Sequence, residues 1–266
     1  MMTRNGPWAL AFHALFVGFI LAPLIVVCLV SFTTESYLSL PVTGVSLRWF
    51  RAIAGSDFIP AFYNSLYVAT AAATIALALS IPAALATARW RFPGRDALTA
   101  FFLSPLMVPH IVLGVALLKF LSDIGLSSTY FGLIFAHVII VMPFTLRLAL
   151  ATLTGLDRAV EWAAWSLGAS HGTIFRRVTL PLILPGLAGG WLLAFIQSFD
   201  ELTMTVFVAA PSTMTLPVRM FNYVTDNIDP LVAAVSTALI FVTILLMIAM
   251  DRFYGLDRLL AGKGAR

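Results

Sequence analysis

Six apolar stretches of bilayer-spanning length run along the chain, separated by short polar segments. They cover approximately Trp8–Phe32, Ala61–Ala86, Leu98–Phe120, Phe131–Leu153, Leu182–Val208 and Leu231–Met250. A hydrocarbon core needs about 20 apolar residues per helix, and every backbone amide within it must bond inside its own segment. The pattern therefore predicts six transmembrane helices in an all-α integral membrane protein. Apolar and polar residues do not alternate with a period of two, which excludes a membrane β-barrel. The longest polar connections are residues 33–60, 154–181 and 209–230, too short to hide a soluble domain. Residues 1–266 thus read as a single transmembrane domain. The first apolar run is too long for a secretory signal and lacks a small-x-small cleavage site, so it reads as a retained span. No internal repeat supports an inverted-repeat secondary carrier.

Composition agrees with this pattern. Apolar residues make up 61% of the chain and charged residues 11%, with a mean hydropathy of +0.98, too little polar surface to cover a soluble globule. Basic residues resist translocation and collect on the cytoplasmic side. With the N-terminus inside, eleven fall on inner segments (Arg4, Arg89, Arg91, Arg95, Arg158, Arg176, Arg177, Arg252, Arg258, Lys263 and Arg266) and three on outer ones (Arg48, Arg51 and Arg219). Both termini are therefore expected in the cytoplasm. The net charge of +4 sits beside membrane ends and outside any nucleic-acid module, so lipid headgroups rather than nucleic acid are its expected partner. Cys28 stands alone in the first span, which excludes an internal disulfide.

The connection at residues 154–181, TGLDRAVEWAAWSLGASHGTIFRRVTLP, reads as two short helices. Asp157 caps the first and Gly168 ends it. Ser170 caps a second, expected to end where Leu180 and Pro181 lead into the fifth span. Trp162 and Trp165 lie three apart and share a face. Rings so placed serve either as a peg for a groove on a partner protein or as residents of the lipid interface.

This segment resembles the EAA loop of ABC importer permeases, whose pattern is E-A-A, three residues, G, nine residues, I-x-L-P. Ala163, Ala164, Gly168, Val178, Leu180 and Pro181 fall at matching places, while Trp162 occupies the glutamate position and Glu161 precedes it. The stretches LRWFRAI, FYNSLYVA, ASHGTIFRRVTLPLILPG, FIQSFDELTMTVFV, TLPVRMF and DPLVAAVSTALI extend the likeness over nearly the whole chain. Together they resemble the second permease of spermidine/putrescine-type importers, a subgroup that also serves iron(III), thiamine and other small solutes.

The resemblance implies a type I ABC importer permease fold in a bacterial inner membrane. It implies that Glu161, Trp162, Ala163, Ala164, Trp165, Gly168, Ala169, Val178, Leu180 and Pro181 couple to a cytoplasmic ATP-binding subunit dimer. It also implies a second, paralogous permease and a periplasmic substrate-binding protein as partners. The chain lacks a G-x-x-x-x-G-K-[ST] loop, so ATP and its Mg are expected on the partner ATPase and no cofactor on this chain.

Within the spans, charged residues are the costliest and point to a pathway. Asp200 and Glu201, expected in the fifth span toward its outer end, either line a route for an amine-bearing cation or pair across a helix interface. Gln197, Ser198, Asn64 and Ser65 extend a polar stripe or bond neighbouring helices. His110 and His137 are expected to pack, and no histidine spacing suggests a metal site. Pro105, Pro109 and Pro143 are expected to kink their helices. Residues 46–54 and 215–223 are expected to form short interfacial helices. A secondary carrier would show paired ionisable residues near the midplane in corresponding halves, and a membrane enzyme would cluster a nucleophile, base or metal ligands. The sequence shows neither pattern.

Overall fold

A computed structural model describes residues 6–254. Arg4, Arg258, Lys263 and Arg266, counted above toward orientation, lie outside the described residues. The described residues form eleven helices: α1 (Pro7–Ser31), α2 (Arg48–Ala54), α3 (Phe58–Arg89), α4 (Arg95–Leu103), α5 (His110–Asp123), α6 (Tyr130–Gly155), α7 (Arg158–Ser166), α8 (His171–Phe199), α9 (Thr205–Val208), α10 (Leu216–Asp226) and α11 (Leu231–Tyr254). Among the described residues, β-pairing is limited to an isolated bridge between Thr33 and Val45. Among the described residues five helices are long and apolar enough to cross a bilayer, or six when α4 and α5 count as one bent span. Short helices do form near the expected 46–54 and 215–223, as α2 and α10.

Two expected spans differ in form. The third, expected as a continuous run over 98–120, breaks into α4, a 3-10 turn at Ser104–Met107, and α5, with a bend of 106°. Pro109 lacks an N–H and forces the preceding residue out of the helical region, so Val108 is extended at φ −94°, ψ 128°. The prolines were expected to kink this helix, and they end it. The fifth, expected over 182–208, starts at His171 and stops at Phe199; residues 205–208 form the separate turn α9. The second short helix of the 154–181 connection therefore does not end at Leu180. It runs into the span through a π turn at Phe175–Thr179, where the Leu180 N–H reaches the Phe175 carbonyl. This wider turn lies just before Pro181, whose ring would collide with a regular turn below it.

The chain divides into two compact units. One comprises the residues up to Ile59 together with Met220–Phe253. Within it Phe32 packs on Phe50 at 4.9 Å and Phe58 on Tyr223 at 5.3 Å, while Arg48 donates to the Glu35 carbonyl. The other unit, Pro60–Arg219, is built around α6 packed along α8. Its core joins Val68, Ala72, Ala73 and Ala76 of α3 to Leu117 and Leu121 of α5, Leu133, Ala136 and Val141 of α6, and Ala194 of α8. Small residues let these helices approach closely, the main source of association where lipid competes equally for apolar surface. A Cβ on Gly186 would run into the side chain of Thr152, which explains glycine at that crossing.

Candidate coupling and pathway sites

The α7 segment is held by caps at both ends. The Asp157 carboxylate accepts the Ala159 N–H at 2.9 Å. At the other end Gly168 adopts φ 84°, its N–H reaching the Trp165 carbonyl at 2.9 Å while the Ala169 N–H reaches that of Ala164 at 3.1 Å. That pair of bonds closes the helix through a left-handed residue, a conformation that costs any side chain and favours glycine. Ser170 then accepts the Thr173 N–H and starts α8. Ala164, Gly168 and Ala169 thus define a rigid elbow, and both caps stand where the sequence put them.

Glu161 faces inward from this elbow. Its Oε1 accepts from Arg89 Nη2 at 2.9 Å and from the Thr179 hydroxyl at 2.7 Å, joining the end of α3 to α7 and to the π turn of α8. The Arg89 and Glu161 side chains are only 10% and 15% exposed. Removing one member of such a pair leaves a poorly solvated charge, at a cost of about 3–5 kcal/mol when burial is complete.

The two faces of α7 differ. Arg158, Glu161, Trp162 and Trp165 line a groove of about 460 Å³, whose other walls include Leu85, Trp90, His171 and Phe175. On the far side Val160, Ala163 and Leu167 are exposed, Leu167 at 89%. Along α8, Val178 and Leu180 are half-buried and Pro181 is exposed.

The polar residues singled out near the other end of α8 separate into two kinds. Glu201 is 7% exposed and lies beyond the helix rather than inside it; Oε1 accepts the Met204 N–H at 2.7 Å and Oε2 meets His110 Nδ1 at 2.9 Å. It fastens the first residue of α5 to the turn before α9. Ser198 is buried and pairs with His137 Nδ1 at 2.7 Å, whose Nε2 meets Thr205 Oγ1 at 3.0 Å. Asn64 donates to the Met214 carbonyl at 3.0 Å and accepts from the Tyr130 hydroxyl at 2.7 Å, and Ser65 accepts the Leu216 N–H. These four side chains hold helices together. Asp200, exposed at the C-terminal end of α8, and half-buried Gln197 lie three residues apart and so share a face.

Sequence reasoning missed Arg89, Thr179, Tyr130 and Thr205 as partners. Arg89 alone carried a signal, as the basic residue ending a span.

Residues 76–256 match the family of binding-protein-dependent transport system inner membrane components. The spermidine/putrescine transport system permease protein PotC of Haemophilus influenzae is 33% identical over 239 residues, covering 90% of this chain and 93% of that one. The putrescine transport system permease protein PotI of Escherichia coli K12 is 30% identical over 248 residues, covering 89% and 86%. A crystal structure of a bacterial ABC transporter that imports the acidic polysaccharide alginate superposes on the fold with a TM-score of 0.74 at 18% identity, over 96% of this chain and 99% of that one. The six-span pattern, the EAA-like elbow, the matched family and relatives aligned over nearly nine-tenths of the chain or more agree: the chain belongs to the binding-protein-dependent transport system inner membrane components, as a multi-span ABC importer permease subunit of the bacterial inner membrane.

Proposed function

We propose that the chain forms half of a translocation pathway for a small cationic amine of the spermidine/putrescine class, with ATP hydrolysed on a separate subunit. The observation that carries the substrate class is the similarity, over 90% of the chain, to a permease named for spermidine and putrescine. The exposed Asp200 carboxylate supports it, since an acidic group along a route attracts amines and repels anions. Gln197 on the same face supplies a neutral hydrogen-bonding neighbour.

In this reading both termini and the α7 elbow face the cytoplasm. The elbow, Glu161 to Ala169, docks on one protomer of an ATP-binding subunit dimer that carries ATP and Mg. Val160, Ala163 and Leu167 form the contact surface, and Trp162 and Trp165 stiffen its back. Glu161, through Arg89 and Thr179, passes the motion into α3 and α8, with Val178, Leu180 and Pro181 leading into the span. A second, paralogous permease completes the pathway, and a periplasmic binding protein delivers the solute.

The test is uptake of labelled spermidine and putrescine into proteoliposomes holding the chain with its cognate permease, ATPase and binding protein. Accumulation should require ATP and all four components. Uptake of an anionic solute in preference to either amine would overturn the substrate assignment, and ATP turnover by the purified permease alone would overturn the division of labour.

A further inference from the structure

We propose that the groove behind α7 binds an anionic phospholipid, with the headgroup at Arg158 and the upper acyl chain along Leu85, Trp90 and Phe175. The groove lies where α3 ends at Arg89 and where the apolar run of α8 begins, the depth at which spans meet headgroups. Trp90 is 61% exposed there, and Trp162 and Trp165 are 58% and 62% exposed. Tryptophan favours this depth because its ring is apolar and its N–H is polar.

Charge selects the headgroup. Arg89 is neutralised by Glu161, whereas the Arg158 guanidinium lies 5.6 Å from the centre of the Trp162 ring rather than on a carboxylate. Arg91 adjoins Trp90 and Arg176 adjoins Phe175, both exposed, so the flanks of the groove add positive charge. A basic pocket between membrane helices with apolar walls matches an anionic lipid in both its parts. A zwitterionic lipid matches the walls alone, and a soluble anion the rim alone. A lipid seated there would brace the Trp162 and Trp165 face of the elbow.

Native mass spectrometry of the full-length chain, titrated with phosphatidylglycerol or with phosphatidylcholine of the same acyl chains, tests this without ATPase or transport activity. Phosphatidylglycerol should bind about fivefold more tightly, the effect of roughly one cation near a lipid surface. Arg158→Gln should bring the two lipids within about twofold, while Arg158→Lys keeps the preference. Arg95→Gln, which removes a half-buried cation outside the groove lining, should also keep it. Trp90→Ala should weaken both lipids alike. Equal binding by the unaltered chain would overturn the proposal, as would a preference that survives Arg158→Gln. Loss of the bound lipid on adding the ATP-binding partner would assign the groove to protein instead.

Discussion

The two ends of α8 use acidic residues differently. At the start, Glu161 is enclosed by Arg89 and Thr179, so its charge is spent on joining three helical segments. Past the end, Glu201 is likewise buried on His110 and the Met204 N–H, but its neighbour Asp200 is exposed. An acid in a span is costly, and the usual inference from cost to pathway treats every such residue alike. Here Glu161 and Glu201 are enclosed and join helical segments, whereas Asp200 is exposed, the setting that the proposed function requires of an acid meeting a solute.

Several substitutions sharpen that contrast. The largest effect is expected for Glu161→Ala, which strands Arg89; thermal unfolding in detergent should show a loss of about 3 kcal/mol, with Glu161→Gln losing less because Thr179 keeps an acceptor. Gly168→Ala places a side chain at φ 84° and should cost about 1–2 kcal/mol, read as weaker association with the ATPase while membrane insertion is unchanged. The smallest effect belongs to Ser198→Ala, about 0.6 kcal/mol, near the average for one interhelical hydrogen bond in a membrane. A stability loss at Ser198 as large as that at Glu161 would erase the distinction between enclosed charge and ordinary polar packing.

What the sequence disclosed follows the range of each interaction. The six apolar runs and the caps at Asp157, Gly168 and Ser170 were legible because a span and a cap are each specified by residues a few positions apart. The prolines at 105 and 109 were visible, but whether they kink or break a helix depends on what packs against the gap, so the 106° bend was not. The same limit applied to the site. Glu161 meets Arg89 across 72 residues, Glu201 meets His110 across 91, and Asn64 reaches Met214 across 150. No local pattern records such pairs, which is why the sequence left Asn64, Ser198 and Glu201, like Asp200, open between lining a pathway and bonding a neighbouring helix. The tryptophans were legible as a shared face, though not as the wall of a groove.

Asp200→Asn and Glu201→Ala, compared in the same reconstituted importer, test this most directly. Asp200→Asn should lower spermidine uptake about tenfold, equivalent to about 1.4 kcal/mol, with the amount of assembled complex unchanged. Glu201→Ala should instead lower the yield of assembled complex, with uptake per complex retained. The opposite assignment, full uptake by Asp200→Asn and a transport-dead but fully assembled Glu201→Ala, would contradict the division between enclosed and available acids.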